Sequence, residues 1–212
     1  MEYLTGGELF QYISSKNYRL TEAKCGYFGK QILEAIEFIH EKRIIHLDLK
    51  PENIVLCQRP NFNSILSDSP SESNFSDQDA SKSYNERLKV IDFGIARYLG
   101  SRHRISIGCC GTLEFISPEV LGCSHASFAS DMWSVGVLFY MMVSGGISPF
   151  WDGTEKGTER NILRAKFVRG GFSHTSFREI SKEAKECISI LLNLEPSKNE
   201  IFWHVIISTG IH

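Results

Sequence analysis

Residues 46–53 read His-Leu-Asp-Leu-Lys-Pro-Glu-Asn, and an Asp-Phe-Gly motif begins at Asp92, 39 residues after Asn53. This ordered pair of motifs constrains the fold most, because its polar residues have a joint chemistry only where the chain brings them together. Asp48 can accept the proton of an attacking hydroxyl, and Lys50 can neutralise a transferring phosphate. Asn53 and Asp92 can hold Mg²⁺ on a nucleotide. The spacing therefore predicts phosphoryl transfer, and we name residues 46–53 the catalytic loop.

Two further tripeptides follow in order, Ser-Pro-Glu at residues 117–119 and Asp-Met-Trp at residues 131–133. A single tripeptide such as Asp-Phe-Gly arises easily by chance, whereas the ordered set does not. The set therefore argues against an unrelated globular domain.

The composition is that of an ordinary soluble domain, with 42% hydrophobic and 23% charged residues among 212, enough to bury one core. The formal net charge is -2, and no Lys/Arg cluster indicates membrane binding. We therefore expect neither nucleic-acid nor membrane partners.

Compartment and thiol chemistry follow from two further observations. No charged region followed by an apolar stretch opens the chain, so we expect no secretory signal and an intracellular protein, cytoplasmic, nuclear or both. The six cysteines lack paired C-x-x-C spacing with histidines. Free thiols, rather than disulfides or structural zinc, are the expectation.

The hydrophobic pattern predicts two helices and a small β-ribbon. Thr21 is suited to cap a helix over residues 21–41. The apolar stripe of that helix holds Phe28, Ile32, Leu33, Ala35, Ile36 and Ile39. Residues 132–143 are almost entirely apolar but too short to span a bilayer, which indicates a helix buried on all sides. Segments 54–56 and 88–91 favour two short strands that pair beneath the catalytic loop.

Residues 58–87, between those two strands, have a different composition. They contain eight serines, five acidic residues and few apolar ones. Such a segment cannot bury enough apolar surface to offset the entropy of ordering. We expect a disordered surface insertion.

With these motifs the chain resembles the large lobe of a eukaryotic Ser/Thr protein kinase, over residues 1–198. The stretches at residues 6–10, 46–48 and 144–150 resemble the calmodulin-dependent group, most of all death-associated protein kinases and myosin light-chain kinases. The resemblance implies a mainly α fold: a helical C-terminal lobe with a small β-ribbon, and no N-terminal lobe. Lys50 follows the Ser/Thr-kinase pattern, so a protein Ser or Thr is the implied acceptor.

The resemblance also implies a site for ATP. Met1 matches the gatekeeper behind the adenine, while Glu2 and Leu4 match the hinge whose backbone meets it. Val55 matches the apolar floor under the ring. Glu8 resembles the acid that meets the ribose and a basic substrate residue upstream of the acceptor. A carboxylate at a helix start is an equally good explanation for Glu8.

The remaining site residues come from the same resemblance. Thr112 resembles the residue that links the catalytic Asp and Lys. The implied catalytic residues are thus Asp48, Lys50, Asn53 and Thr112, with Asn53 and Asp92 as ligands of Mg²⁺. Two interpretations are open for Cys109, Leu113 and Ile116. They line an apolar pocket for the substrate residue that follows the acceptor Ser or Thr, or they belong to the hydrophobic core.

Two departures from the family pattern occur together. Leu47 stands where the family usually has Arg, and Gly108 stands where many kinases carry the activating phosphothreonine. A buried Arg needs that phosphate to neutralise it, so losing both leaves no unpaired charge. We expect activity without phosphorylation of the activation segment, the stretch from Asp92 to Glu119.

His46 has two interpretations. In isolation it is a candidate base for activating a nucleophile, whereas the resemblance implies that its ring packs against Phe93 and orders the loop. We favour packing, because this chemistry asks the protein mainly for positioning and electrostatics.

Parts of the family pattern are missing. The sequence upstream of the hinge has no Gly-x-Gly-x-x-Gly loop, strand lysine or helical glutamate. Asn199 replaces the Arg that pairs with the acid at Glu119, so Glu119 is expected to lack its partner. Residues 199–212 form a divergent tail. Without the small lobe, Val55 and Phe93 are expected to lie open to water.

The leading hypothesis is a Ser/Thr protein kinase fragment that transfers the γ-phosphoryl of ATP to protein Ser or Thr, with this chain alone catalytically incomplete. The alternative is a non-catalytic kinase-like module that presents its surface to partners. A protein substrate is the implied partner, and calmodulin or other regulators would act outside these residues. The retained polar residues of the catalytic loop and Asp92 favour the catalytic hypothesis.

Overall fold

A computed structural model of the chain describes residues 2–13, 20–58 and 87–195. Three predicted features lie outside these ranges: the gatekeeper Met1, the tail at 199–212, and the insertion at 58–87 apart from its two end residues.

The described residues form helices and short strands in the order α1 (Leu9–Ile13), α2 (Glu22–Glu41), β1 (Ile44–Ile45), β2 (Ile54–Leu56), β3 (Leu88–Val90), β4 (Arg97–Tyr98), α3 (Pro118–Leu121), α4 (Phe128–Ser144), α5 (Glu155–Ile162) and α6 (Lys182–Leu191). Short 3₁₀ turns occupy Pro51–Asn53, Leu113–Phe115, Gly171–Ser173 and Thr175–Phe177. The predicted mainly α fold with a small β-ribbon is confirmed.

Helix α2 confirms the helix predicted at residues 21–41. The Thr21 hydroxyl accepts a hydrogen bond from the Lys24 amide at 3.3 Å, which satisfies one free donor of the first turn. The buried face carries Cys25, Phe28, Gly29, Ile32, Ile36, Ile39 and His40. Leu33 and Ala35 of the predicted stripe are half-buried. One face of α2 therefore packs on the core.

Helix α4 confirms the predicted buried helix. A capping box begins it, in which Ser130 Oγ accepts from the Ser127 amide at 3.2 Å. Residues 132–143 are buried except Phe139 and Met141, which are half-buried. The apolar run therefore forms the centre of the fold, as its composition requires.

Strands β2 and β3 form the predicted antiparallel ribbon, with Ile54 opposite Val90. The Cys57 amide donates to the Arg87 carbonyl at 2.8 Å, one step beyond the strands. The chain thus leaves the ribbon at Cys57 and returns to it at Arg87 as a hydrogen-bonded neighbour.

The pairing of β1 with β4 was not predicted. Ile44 lies opposite Tyr98, and Ile45 lies opposite Arg97. Two residues per strand are too few to show a period-2 pattern. This second ribbon ties the chain entering the catalytic loop to the activation segment.

Two groups of buried apolar side chains hold the fold. The larger core joins α1, α2, α4 and α6, and within it Trp133 and Phe150 stack with ring centroids 5.3 Å apart. The smaller group, the loop cluster, consists of Ile45, Leu47, Leu99, Ile116, Val120 and Ala126. None of the described helices combines the length and apolarity needed to cross a membrane.

Candidate active site

One buried carboxylate anchors the catalytic loop. Asp131 of α4 is fully buried and accepts hydrogen bonds from the backbone amides of His46 and Leu47, each at 2.9 Å. It also lies 2.8 Å from His40 Nε2. Hydrogen bonds to a carboxylate are about twice as strong as neutral ones. The loop backbone is therefore fixed to the centre of the fold.

Asp48, Lys50 and Thr112 form a closed triangle of hydrogen bonds. Lys50 Nζ donates to Asp48 Oδ2 at 2.6 Å and to Thr112 Oγ1 at 3.1 Å. Thr112 Oγ1 donates in turn to Asp48 Oδ1 at 2.9 Å. The Asp48 and Lys50 side chains are 15% and 23% exposed, so both remain accessible to a ligand. The structure thus brings together three of the four residues predicted as catalytic.

Asn53 joins this group from the turn Pro51–Asn53. Its Nδ2 donates to the Asp48 carbonyl at 2.8 Å, which leaves Oδ1 as the group able to meet a cation. The Asn53 carbonyl accepts from the Ile91 amide at 3.0 Å, so the β2–β3 ribbon delivers Asp92 to this end of the loop. Amide and carboxylate oxygens are the hard ligands that Mg²⁺ takes, and this donor set fits the metal.

The Asp-Phe-Gly turn is far more open. Asp92 has a left-handed backbone (φ 62°), and its Oδ1 accepts from the Gly94 amide at 3.1 Å. Phe93 is 45% exposed, with its ring 4.8 Å from the ring of His46. His46 is fully buried, and its Nε2 lies 3.0 Å from the Ile91 carbonyl oxygen. The predicted packing of His46 on Phe93 is confirmed.

Two of the predicted adenine-binding residues, Glu2 and Leu4, lie on the hinge segment, residues 2–8, which pairs with β2. Gly6 N donates to the Leu56 carbonyl at 3.1 Å, and Glu8 forms an antiparallel bridge with Val55. A Cβ at position 6 would lie 2.3 Å from that carbonyl oxygen, so only glycine permits the approach. The hinge segment is therefore an edge added to β2.

Glu2 and Leu4 occupy the outer part of the hinge segment. The Glu2 carboxylate forms an ion pair with Lys89 of β3. Their hydrogen bond raises the pKa of Lys89. Tyr3 is 88% exposed, and Leu4 is half-buried. The Glu2 side chain is thus engaged by Lys89. The backbone groups of Glu2 are then the ones available to a ligand.

Val55 corrects one expectation. It is only 8% exposed, because it lies between Glu8 on one side and Lys89 on the other. The expectation that Val55 lies open to water is wrong, whereas the same expectation for Phe93 is confirmed by its exposure. A mid-strand position is covered on both flanks even where one face of the ribbon is free.

Leu47, the residue in place of the usual Arg, is buried in the loop cluster. Half-buried side chains of the activation segment pack against the same cluster, among them Ile105, Ile107 and Cys110. A cation at position 47 would be surrounded by apolar groups without a partner there. The activation segment is therefore held by apolar contacts where other kinases use a phosphate.

Gly111 lets the activation segment approach the catalytic loop closely. Its backbone is left-handed (φ 99°), and a Cβ there would lie 2.7 Å from the Leu47 carbonyl oxygen and 3.9 Å from Asp48 Oδ1. Both constraints favour glycine. The position of the next residue, Thr112, against Asp48 depends on this approach.

The three residues matched to an apolar acceptor pocket do not share one environment. Leu113 packs against the larger core, and Ile116 belongs to the loop cluster. Cys109 is exposed. Partial burial raises the pKa of its thiol, and three neighbours add to the shift, Cys123, Cys110 and Glu159. Packing therefore accounts for Leu113 and Ile116.

Glu119 has a partner that the sequence did not suggest. Its Oε1 accepts a hydrogen bond from Ser130 Oγ at 2.7 Å, in the first turn of α4. This hydroxyl is a neutral partner, so the loss of the family's Arg as the charge partner of Glu119 stays a prediction. Asn199, which replaces the family's Arg, lies outside the described residues.

Two positioning residues were missed. Arg43 donates from Nε to the Gly100 carbonyl at 2.9 Å and from Nη2 to the Arg102 carbonyl at 2.5 Å, which ties the end of α2 to the activation segment. Nothing in the sequence marks Arg43. For Asp131 a signal existed, because it directly precedes the apolar run 132–143, and an acid buried with such a run is almost always paired.

Comparison with known proteins agrees with this geometry. A model described as the protein kinase domain matches residues 1–200. The chain belongs to the protein kinase family. It is similar to myosin light chain kinase 3 of Danio rerio, at 41% identity over 192 residues. It is also similar to myosin light chain kinase family member 4 of Homo sapiens, at 41% identity over 197 residues.

The alignments cover 91% and 93% of this chain but only 23% and 43% of the two relatives. The chain therefore spans less than half the length of these proteins. The predicted membership of the calmodulin-dependent group of Ser/Thr kinases is confirmed by them. Kinases of this family act on proteins and use Mg-ATP as the phosphoryl donor.

Proposed function

We propose that this chain supplies the catalytic lobe of a Ser/Thr protein kinase, which transfers the γ-phosphoryl of ATP to Ser or Thr of a protein. The observation that supports the proposal is the closed triangle of Asp48, Lys50 and Thr112. Its proton acceptor, cation and hydroxyl are oriented before any ligand arrives. Phosphoryl transfer draws most of its acceleration from such positioning and electrostatics.

Each side chain has a distinct role in this proposal. When bound, ATP would supply the phosphoryl group, and Mg²⁺ would supply positive charge that offsets the negative charge of the phosphates. The Asn53 amide oxygen and the Asp92 carboxylate hold the metal. Asp48 accepts the proton of the substrate hydroxyl, while Lys50 and Thr112 keep its carboxylate oriented. The charge of Lys50 also favours the phosphate that approaches.

The hinge segment is proposed to bind the base, through Met1 and the backbone of Glu2 and Leu4, with Val55 under the ring. Glu8 is proposed to meet the ribose and a basic substrate residue. Its carbonyl accepts from the Gln11 amide at 3.2 Å, which fits a helix-start role as well. A peptide array separates the two roles, because Glu8→Gln lowers the preference for upstream Lys/Arg only in the first.

The chain alone is proposed to be catalytically incomplete, because its sequence contains no glycine-rich phosphate loop. A misplacement of about 1 Å between reacting groups can cost on the order of 100-fold in rate. Calmodulin is a candidate regulator from the group resemblance, through a segment outside these residues. A second candidate function, a non-catalytic interaction module, is favoured by the exposure of Tyr3 and Phe93.

The decisive experiment is a radiolabelled phosphotransfer assay on residues 1–198 fused behind the small lobe of the human relative. Transfer to a Ser peptide with upstream Arg is expected, and Asp48→Asn should lower the rate by about 100-fold or more. Residues 1–212 alone serve as the second arm, with negligible transfer expected. A fusion that folds and binds ATP but transfers no phosphate would reject the catalytic proposal in favour of the interaction module.

A phosphatase arm tests the regulatory part of the proposal. The apolar packing around Leu47 holds the activation segment, so dephosphorylated fusion protein should keep its rate. Loss of activity on dephosphorylation would show that a phosphate, not this packing, orders the segment.

A further inference from the structure

A basic cleft lies beside α5, outside the candidate active site. It has a volume of about 530 Å³ and eight lining residues. Four of these are cations, Arg160, Arg164, Lys166 and Arg169, and one is acidic, Asp152. Residues 160–169 contain no acid at all, in a chain whose net charge is -2. The cleft therefore carries a local excess of positive charge.

The single acid of the cleft is already engaged. Asp152 Oδ1 accepts from the amide and the hydroxyl of Thr154, at 3.2 and 3.1 Å. Its Oδ2 lies 3.5 Å from Asn161 Nδ2 and 4.0 Å from Arg160 Nη2. These contacts hold Thr154, the residue that caps α5, and reach only one of the cations. Among the described residues, the other three form no ion pair.

The backbone that presents these cations is anchored. The Lys166 amide donates to the Asn161 carbonyl at 2.8 Å, and the Val168 amide donates to the Pro149 carbonyl at 2.9 Å. The ring of Phe167 stacks on the rings of Tyr140 and Phe150, at 5.6 and 5.8 Å between centroids. A partner would therefore not have to order this loop, which lowers the entropic cost of binding.

The chemistry of the cleft selects its class of partner. Small-molecule sites are lined mainly by apolar side chains, whereas most of this lining is charged or polar. Single-stranded nucleic acids need free aromatic faces and long basic tracks, but Phe167 is committed to the aromatic stack. An acidic polypeptide fits, because several carboxylates of one chain can meet the four cations that line this cleft.

The position of the cleft near the activation segment suits a partner that is a substrate. Helix α5 packs against the turn Leu113–Phe115, which directly follows Thr112. Glu159 of α5 also lies near enough to Cys109 for its charge to act on that thiol. The cleft is thus next to the activation segment, where a substrate would place its acceptor hydroxyl.

We propose that the basic cleft docks an acidic segment of a protein substrate. The identity of the partner as a substrate rests on the proposed kinase activity, whereas the docking does not. Binding through this segment raises the effective concentration of the acceptor near Asp48 without any contact in the active site.

The test measures binding to the full chain without nucleotide, by fluorescence anisotropy of a labelled octaglutamate peptide at low salt. The cleft variant is Arg164→Gln with Lys166→Gln. The matched control is Lys30→Gln with Lys182→Gln, two exposed lysines outside the cleft. We expect the cleft variant to bind about fivefold to tenfold more weakly and the control variant to stay within about twofold of the original chain.

Unfolding curves of both variants establish that neither has lost its fold. Equal weakening in both variants would overturn the proposal, because the binding would then follow net charge alone. Tighter binding of a single-stranded oligonucleotide, lost in the cleft variant, would also overturn it. The two proposals can fail separately. If the cleft binds the peptide but the fusion protein transfers no phosphate, the docking site stands and the kinase proposal is rejected.

Discussion

The catalytic loop and the Asp-Phe-Gly turn carry the two halves of one candidate site, yet they are held in opposite ways. In the loop, His46 is fully buried, and the backbone amides of His46 and Leu47 donate hydrogen bonds to the buried Asp131 carboxylate. In the turn, Asp92 and Phe93 are exposed. The catalytic loop, with its candidate metal ligand Asn53, is therefore attached to the core, whereas the other candidate ligand, Asp92, lies on the surface. Burial decides which half is positioned before a ligand binds.

The largest test of this contrast compares Asp131→Ala with Asp92→Ala. Removing the Asp131 carboxylate leaves two buried amides and the His40 ring without their acceptor, so we expect a loss of about 3–5 kcal/mol in the free energy of unfolding. Asp92→Ala should change it by about 0.5 kcal/mol or less. Urea denaturation measures both. Similar losses in the two variants would break the contrast.

The contrast between buried and exposed groups extends to the thiols. Burial raises the pKa of Cys187 to about 11, on the side of α6 that meets the larger core. Near pH 8 its thiolate should be on the order of 100-fold rarer than in the unfolded chain. Iodoacetamide labelling followed by mass spectrometry should therefore modify Cys187 only after unfolding, while exposed Cys123 reacts in the folded protein.

The same shift has a consequence for stability. The folded state holds the Cys187 proton more tightly than the unfolded state, so this contribution is present below about pH 9. It is lost as the pH rises toward about 11, because the unfolded chain then releases its proton first. Cys187→Ala should remove that part of the alkaline decline. A pH profile unchanged by the substitution would contradict the assignment.

Gly111→Ala tests the approach of the activation segment to the catalytic loop. The added methyl group meets the Leu47 carbonyl, and the backbone is left-handed, so we expect a loss of about 1–3 kcal/mol. Gly108→Ala is the matched control, since nothing lies within 4 Å of a Cβ there. Its change should be about 0.5 kcal/mol or less. Thermal unfolding of the pair gives the comparison.

The helices that the sequence predicts are those with a long local period. Residues 21–41 and 132–143 give enough turns for a helical stripe or an apolar run to be recognised. The anchor at Asp131 is different, because its partners His46 and Leu47 lie more than 80 positions away in the chain. No local pattern encodes such a contact.

The candidate site also contains residues that the sequence predicts and contacts that it does not. The motifs of the catalytic loop name Asp48, Lys50 and Asn53, because their chemistry is carried by residue type and short spacing. The burial of Val55 and the bond from Ser130 to Glu119 depend on which strand or helix packs alongside. Those neighbours come from pairing between separate segments, and for that reason the expectation for Val55 was wrong and the bond to Glu119 was not predicted.

Shortening the chain that joins the two halves is expected to cause no loss of stability. Cys57 and Arg87 are hydrogen-bonded neighbours, and the cost of closing a loop between them grows slowly with its length. Deleting residues 60–84 should therefore cause no loss in the free energy of unfolding, and the shorter loop should raise it by about 1.7 kcal/mol at most. A loss of several kcal/mol would show that this segment packs against the rest of the protein.

The bonds from Asp131 to the backbone amides of His46 and Leu47 also set a timescale. An amide proton exchanges with solvent deuterium only when its hydrogen bond opens. Here opening requires the catalytic loop to separate from α4, the most buried helix described. These two protons should therefore be among the slowest in the protein to exchange, even though they belong to a loop. Faster motion in the candidate site is therefore expected in the exposed Asp-Phe-Gly turn.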